Sequence, residues 1–176
     1  MCGRVNRVKS AVVRSFLVIA SITLCGCATG LRDGVFSKDR VSYRIGVPSE
    51  AEWRRVSFSN NDLAWLHTTT GHVISTNATC ENYGDPSLDV LTTHLLFGFS
   101  ERESKEQKLE ELDGREALHS KYDAKLDGVP IEIELVVLKK NGCVHDFSYV
   151  SPKGHAEMAQ AAFDHLVHGF TQEKSP

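Results

Sequence analysis

The chain lacks the long apolar run that a membrane-spanning helix requires and the basic stripe that a nucleic acid would bind. Its longest apolar segment, residues 15–24, has about half of the roughly 20 residues needed to cross a bilayer. The 176 residues carry 20 basic and 23 acidic side chains, giving a net charge of −3 with histidine neutral. These absences argue against a helical membrane domain and against a nucleic-acid partner.

The familiar catalytic signatures are also missing. The sequence contains no Gly-x-Ser-x-Gly elbow, no His-Glu-x-x-His zinc motif and no phosphate-binding glycine loop. Its glycines fall mainly at predicted turns. We therefore expect a non-enzymatic protein that holds no cofactor.

The N-terminus has the composition of an export signal. Four basic residues and no acidic residue occur in the first 26, and the apolar segment lies at the end of this stretch. The segment closes with Leu24-Cys25-Gly26-Cys27, which resembles the lipobox of bacterial lipoproteins. Cys25 departs from the small residue usual at its position. Cleavage near Ala28 by an ordinary signal peptidase and an uncleaved N-terminal anchor are the alternatives.

The lipobox resemblance implies that Cys27 is the first residue of the mature chain and carries lipid, including palmitate. The protein would then be anchored in the bacterial cell envelope. In Gram-negative lipoproteins an Asp after the lipidated cysteine signals inner-membrane retention, so Ala28 favours the periplasmic face of the outer membrane. Removing the four basic residues of the signal leaves 16 basic and 23 acidic residues, a net charge near −7.

The lipobox interpretation also assigns a fate to each of the five cysteines. Cleavage before Cys27 removes Cys2 and Cys25, and lipid occupies Cys27. Cys80 and Cys143 remain in an oxidising compartment, where disulfides persist. We predict that these two pair. Two separate buried thiols are the main alternative, and a catalytic thiol is the other.

Three turn dipeptides give the strongest structural signal. Asp113-Gly114, Asp127-Gly128 and Asn141-Gly142 recur every 14 residues. Such dipeptides favour two-residue type I′ hairpin turns, which need positive φ at both central positions. The pattern predicts a four-stranded antiparallel meander over residues 105–112, 115–126, 129–140 and 143–150.

The turns also assign residues to faces, because side chains alternate along a strand. One face is almost wholly apolar and is predicted to be the core. It collects Leu118, Tyr122, Ala124, Leu126, Val129, Ile131, Ile133, Leu135, Val137, Val144 and Val150. The other face is polar at one side and apolar at the other, with His119, Lys121, Asp123, Glu132 and Glu134 against Val136, Leu138, Cys143, Phe147 and Tyr149.

Weaker signals complete the domain. Segments 41–47, 62–68 and 72–79 read as strands, and the charged stretch 100–111 reads as a solvated loop that leads into an edge strand. One helix is predicted over 86–97, capped by Asp85. A second is predicted over 154–168, with Gly169 as its C-cap.

Together these elements predict an α+β fold with an antiparallel sheet of about six to seven strands, including the C-terminal four-stranded meander, flanked by two helices. The expected organisation is a signal peptide over 1–26, a lipidated tether over 27–40, one globular domain over 41–171 and a tail over 172–176.

Three segments carry a resemblance to a known fold. They are LDVLTTHLLFG at 88–98, LDGREA at 112–117 and NGCVHDF at 141–147. They look like segments of small uncharacterised bacterial lipoproteins, and the order of elements is similar to the fold of the photosystem II extrinsic P-protein, PsbP. The Gly169-Phe170 pair matches the end of the final helix in that fold. The resemblance implies binding, assembly or stabilisation of other proteins, and it carries over no catalytic residue.

A few residues are candidates for chemistry or binding. His165 and His168, spaced i, i+3, resemble part of a zinc site but lack an evident third ligand, so we expect no metal. Asp146 falls on the apolar face opposite Val137, where a carboxylate is hydrogen-bonded or has a raised pKa. His145 points to the other face.

Trp53 and Trp65 are candidate exposed anchors for a partner, and core aromatics are the alternative reading.

The leading functional hypothesis is a non-enzymatic accessory or scaffold subunit of a membrane or transport assembly, held by lipid on Cys27 and bound to a protein partner. A second hypothesis is a small-molecule or lipid-binding module with a pocket between the sheet and helix 86–97. The weakest is a hydrolase that uses Asp146 or a histidine.

Overall fold

The computed structural model describes residues 30–80 and 84–173, so the predicted export signal and Cys27 lie outside the described residues. No helix within them is long and apolar enough to cross a membrane. Eleven strands are defined in this part of the chain: β1 Gly30–Arg32, β2 Val35–Lys38, β3 Val41–Arg44, β4 Trp53–Val56, β5 Leu63–His67, β6 Val73–Thr79, β7 Ser100–Leu112, β8 Arg115–Leu126, β9 Val129–Lys140, β10 Cys143–Pro152 and β11 Thr171–Gln172. The helices are α1 Leu88–Leu95, a short 3-10 helix Ala156–Met158 and α2 Gln160–His168.

The larger sheet contains the predicted meander. Its strand order is β4-β5-β6-β10-β9-β8-β7, and every pairing is antiparallel. The three turns have positive φ at both central residues, for example 50° at Asp127 and 82° at Gly128. Leu126 pairs with Val129 and Lys140 with Cys143, as two-residue loops require. The α+β class and the meander are therefore confirmed.

The charged stretch 100–111 is strand throughout, so the edge strand predicted from residue 105 begins already at Ser100 and no loop precedes it there. β7 forms the edge of the larger sheet over 13 residues, and two register shifts interrupt its pairing with β8. Charged side chains and bulges on an edge strand discourage pairing with another chain.

Most of the segment expected to form a tether, residues 30–40, is instead part of the fold. β1 and β2 form a hairpin that continues into β3, and β11 completes a second sheet in the order β1-β2-β3-β11. The tether prediction was therefore wrong for residues 30–38, and the globular unit extends to Gln172 rather than stopping at 171. Phe36 and Val41 are buried in the main core, which explains why this segment is ordered.

The helices are shorter than predicted. Ser87, not Asp85, caps α1, since its hydroxyl accepts a hydrogen bond from the Val90 amide at 3.3 Å. The Asp85 carboxylate instead pairs with Lys139. The C-terminal helical region is divided into the 3-10 turn and α2.

Both faces of the larger sheet are covered, but not as the sequence suggested. The face predicted as the core packs against α1 in a small cluster that contains Leu96, Tyr122 and Ile133, and Leu126 and Val129 stay exposed. The other face packs against α2 and the smaller sheet, and it forms the main core around Val136, Phe147 and Tyr149. The principal core therefore lies on the face that looked only partly covered.

The predicted disulfide is present. Cys80 and Cys143 are bonded, with a Cα–Cα distance of 4.1 Å. Cys80 directly follows β6, and Cys143 opens β10, its neighbour in the sheet. The bond therefore joins the strands of the first half of the chain to the meander.

Two glycines let α2 lie directly on the chain after β3. A Cβ atom on Gly46 would be 2.0 Å from the His165 carbonyl oxygen, and one on Gly169 would be 2.2 Å from the Gly46 amide nitrogen. Gly169 has φ of −78°, so it is not the left-handed C-cap that the sequence suggested. Both positions require the absence of a side chain, and the resulting contact docks α2 beside the smaller sheet.

We expect Gly46→Ala to lower the free energy of unfolding by about 2–3 kcal/mol, because the added methyl must displace backbone in a packed interface. Gly84→Ala is the matched control, since a Cβ there meets nothing within 4 Å. Urea unfolding of both variants measures the difference. Equal stability of the two would contradict the close contact between residue 46 and α2.

Candidate functional site

A large cavity lies on the α2 side of the sheet rather than under α1. The space between α1 and the sheet, where a pocket was expected, is filled by the Leu96 cluster. A groove of about 850 Å³ runs instead between the meander and the C-terminal helical region. Its floor includes Lys121, Glu132 and Glu134, and its opposite wall includes Met158 and Gln160.

A hydrogen-bonded histidine, His119, lines a smaller cavity of about 290 Å³ that shares Lys121, Glu134 and Gln160 with this groove. His119 Nε2 is 2.5 Å from a Glu134 carboxylate oxygen, and Nδ1 is 3.3 Å from Glu110. Glu134 also contacts Lys121 Nζ at 3.3 Å and accepts a hydrogen bond from the Gln160 amide at 3.1 Å. Gln160 therefore ties α2 to the floor of the groove.

A second set of ion pairs involves other residues that line the groove, Lys105, Asp123 and Glu132. Asp123 contacts Lys105 at 3.0 Å and also pairs with Lys153. Lys153 reaches Glu132 at 3.7 Å, and the Ala156 amide donates to the same carboxylate at 3.3 Å. The groove is therefore lined by charges of both signs, most of them paired.

The histidine and its carboxylate adjust each other's ionisation. Burial lowers the pKa of His119, but its hydrogen bonds to Glu134 and Glu110 more than compensate, so the pKa is raised overall. Burial raises the pKa of Glu134, but the His119 hydrogen bond and the Lys121 charge lower it overall. The pair therefore favours a charged His119, and its stabilising effect declines as pH rises through the histidine pKa.

The sequence analysis placed His119 and Glu134 on one face but did not single them out as partners. Register pairs His119 with Val136 and Lys121 with Glu134, so the two groups are diagonal neighbours. Diagonal neighbours are within reach of long side chains in an antiparallel pair. The contact between His119 and Glu134 could therefore have been predicted from the register of β8 and β9.

Asp146 lies where the register placed it. It pairs with Val137 on β9 and with Asn77 on β6, and it is buried. The Asn77 amide donates to its carboxylate at 3.4 Å. Burial raises the pKa of Asp146 to about 7, and the nearby charge of Asp62 adds to the shift.

His145 is buried on the opposite face, where its ring meets Tyr43 edge-on and Phe170 at a tilt, with centroids 5.5 and 4.9 Å away. Burial lowers the pKa of His145 to about 4, so the ring is neutral at physiological pH. The sheet separates His145 from Asp146, and the two do not form an acid–base pair.

A buried carboxylate that the sequence analysis missed joins the two sheets. Asp62 pairs with Lys38 and accepts hydrogen bonds from the Tyr43 hydroxyl at 3.0 Å and the Ala78 amide at 2.9 Å. Lys38 and Tyr43 belong to the smaller sheet, and Ala78 belongs to β6. Asp62 therefore has a structural role, and it fixes the N-terminal hairpin against the larger sheet.

The tryptophans are not exposed anchors. Trp53 and Trp65 are each 3% exposed and belong to the main core. Of the two interpretations, the core aromatics are therefore the one that the structure supports. Arg55 lies over the Trp65 ring with its guanidinium carbon 5.5 Å from the centroid.

The two candidate metal ligands, His165 and His168, are not joined by a third ligand among the described residues. His165 and His168 are exposed on α2, and His168 Nδ1 lies 2.8 Å from the Asp164 carbonyl oxygen. Across residues 30–80 and 84–173, no group of three or more His, Cys, Asp or Glu side chains is arranged to hold a metal ion.

Sequence comparison finds no matching family model and no matching curated protein. Structural comparison does find similar folds. LpqN, involved in cell envelope biogenesis of Mycobacterium tuberculosis, is 14% identical, with a TM-score of 0.58 over 78% of this chain and 87% of that one. Cyanobacterial PsbP from Synechocystis sp. PCC 6803 is 15% identical, with a TM-score of 0.58 over 85% of this chain and 99% of that one.

Sequence identities this low establish a shared fold but not a shared function. The two matches cover 78% and 85% of this chain, and the antiparallel sheet with flanking helices agrees with the expected architecture. The resemblance to PsbP is therefore confirmed at the level of architecture: the chain has a PsbP-like α+β fold.

Proposed function

We propose that the protein is a lipid-anchored, non-enzymatic accessory subunit of the cell envelope, held to a membrane through Cys27 and acting by binding a protein of a membrane or transport assembly. In a Gram-negative host, Ala28 favours the periplasmic face of the outer membrane. The observation that carries the proposal is the position of Cys27, three residues before the first strand of the fold.

The domain would sit close to its membrane. Ala28 and Thr29 alone separate Cys27 from Gly30, and consecutive residues of extended chain span at most about 3.6 Å each. The first strand therefore starts within about 10 Å of the lipidated residue. Support for an accessory role comes from the fold, which this chain shares with a protein involved in cell envelope biogenesis and with PsbP.

Acylation of the full chain tests the proposal. Labelling with a palmitate analogue in a bacterial host, followed by mass analysis of the mature N-terminus, is expected to place lipid on Cys27. We expect Cys27→Ser to abolish labelling and release the domain from membranes, whereas the matched control Cys25→Ser keeps both. A Cys27→Ser protein that is still lipid-labelled, or a wild-type N-terminus that starts at another residue, would contradict the proposal.

The groove supports a second candidate function, the binding of a small molecule. Its volume of about 850 Å³ is within the range of ligand sites, and Met158 and Tyr149 add apolar surface to its charged lining. Native mass spectrometry of protein purified without denaturation tests this role. A co-purified compound that Gln160→Ala releases would favour it, and an empty protein would leave the groove as a solvated cleft.

A further inference from the structure

The Cys80 half of the Cys80–Cys143 disulfide lines a cleft. The cleft has a volume of about 220 Å³ and lies between the turn that follows β2 and the end of β6. Of the two cysteines, Cys80 alone belongs to its lining. We call this space the disulfide cleft; its lining comprises Lys38, Asp39, Arg40, Val41, Ala78, Thr79 and Cys80.

The two cysteines also differ in burial. Cys143 is 6% exposed and belongs to the main core, whereas Cys80 is half-buried and packs against that core. Thiol–disulfide exchange begins when a thiolate attacks one of the two sulfurs, and access is one of the factors that set its rate. The cleft and the burial therefore both favour attack at Cys80.

The charges at the disulfide cleft do not oppose an incoming thiolate. The lining has two basic residues, Lys38 and Arg40, against one acidic residue, Asp39. Lys38 is itself paired with Asp62, so basic and acidic groups balance there. The acidic excess predicted for the mature chain as a whole is therefore absent at the place where an anionic nucleophile would arrive.

The two strands that the disulfide joins are also held by their own ladder. Seven residue pairs connect β10 to β6, from Val144 with Thr79 to Val150 with Val73. The cysteines lie just beyond the first of these pairs, with their Cα atoms 4.1 Å apart. Opening the bond removes a restraint mainly from the unfolded chain. In the folded chain, the ladder keeps the two sulfurs side by side.

We infer that Cys80 is a thiol–disulfide exchange site, at which a partner with two thiols, of the dithiol oxidoreductase class, reduces the folded protein. A thiolate of the partner attacks Cys80 Sγ, and the bond to Cys143 breaks. Its electron pair leaves on Cys143 Sγ, which takes a proton from water. The partner's second thiolate then attacks the partner's own sulfur in the mixed disulfide and releases Cys80 as a thiolate. The partner is oxidised by two electrons to a disulfide, and this chain is reduced by two.

The adjacency of the two cysteines selects a dithiol over a monothiol. In the mixed disulfide, Cys143 still lies beside Cys80, so it attacks Cys80 Sγ and expels the partner's thiol faster than a second molecule can arrive. A reagent with one thiol is therefore released unchanged. A second thiol on the same partner reacts at a comparable effective concentration and completes the reduction. This inference goes beyond the proposed anchored role and does not depend on lipid at Cys27.

The first test follows reduction of the disulfide in the full wild-type chain. Dithiothreitol and glutathione are compared at equal thiolate concentration, and the thiols that appear at Cys80 and Cys143 are assigned by alkylation and peptide mapping. With dithiothreitol we expect a rate proportional to its concentration and unchanged by urea below the unfolding transition. Net reduction by glutathione should be slower by roughly tenfold or more, with any glutathione adduct on Cys80.

The opposite results are equally definite. A rate that rises steeply with urea, or that stops rising with dithiothreitol concentration, would show that the bond opens only after unfolding, and either would overturn the inference. A glutathione adduct on Cys143 would overturn the assignment of the attacked sulfur. Equal net reduction by the two reagents would overturn the requirement for a dithiol.

Two single substitutions compare the cysteines directly. Cys143→Ser leaves a thiol at position 80, and Cys80→Ser leaves one at position 143, so the two variants lose the same bond. We expect oxidised glutathione to modify position 80 faster than position 143 by roughly tenfold or more, because the thiol at 80 is the more accessible one. Equal rates, or a faster reaction at position 143, would overturn the assignment. Thermal unfolding shows whether both variants fold, and the urea dependence of the wild-type reaction decides if one does not.

Discussion

Replacing both Cys80 and Cys143 by Ala is expected to lower the free energy of unfolding by about 4 kcal/mol. The disulfide closes a loop with a sequence separation of 63, and chain-entropy arguments assign a restraint of that length roughly this value. The loop contains α1 and most of the meander, so the unfolded chain gains much freedom when the bond is lost.

Urea unfolding of the wild-type domain with and without a reductant measures the effect. The double variant serves as the control, because the reductant should not destabilise it further. A loss below about 1 kcal/mol would show that the hydrogen bonds between β6 and β10 hold the two strands together without the bond. Thr79 and Val144 form the first pair of that ladder, directly beside the disulfide.

Asp146→Asn is expected to stabilise the domain by about 3–4 kcal/mol at pH 8 and to have little effect at pH 4. Burial raises the pKa of Asp146 to about 7, so the folded state holds a proton that the unfolded state releases near pH 4. Stability contributed by this group is therefore lost as pH rises from about 4 to 7. Asparagine keeps a polar partner for the Asn77 amide and removes the buried charge.

The adjacent histidine has the opposite effect on pH dependence. Burial lowers the pKa of His145 to about 4, so the unfolded state binds a proton that the folded state excludes, and stability rises between about pH 4 and 6.5. The contributions of His145 and Asp146 oppose each other over that interval. We expect Asp146→Asn to steepen the rise of stability with pH, as measured by thermal unfolding at a series of pH values. An unchanged pH profile would show that Asp146 is already ionised in the folded protein.

The meander was predictable because its signals are local. Each of its turns is specified by two adjacent residues, such as Asn141-Gly142, and the turn fixes the register of the strands on either side. The register then placed Asp146 opposite Val137 before any tertiary contact was known. The pairing of Cys80 with Cys143 followed from the count of cysteines and the compartment.

The parts that sequence analysis missed depend on contacts between distant segments. β1 and β2 are three and four residues long, too short for a periodic pattern, and they are ordered by pairing with β3 and packing on the core. The position of the groove was not predicted for the same reason, because it depends on contacts between distant segments. The side chains of the meander were grouped correctly on its two faces. The local sequence does not show, however, which of the two faces α2 covers or how much of that face it covers. Gly46 and Gly169 determine that position, and neither was recognised for the close contact it makes.

The smaller sheet has a consequence for the proposed export of the protein across a membrane. β3 pairs on one side with β2, close to it in sequence, and on the other with β11, made more than a hundred residues later. A chain threaded through an export channel from its N-terminus cannot complete this sheet until Thr171 and Gln172 emerge. We therefore expect the polypeptide to stay loosely folded during transit and to become protease-resistant only after its last strand has arrived.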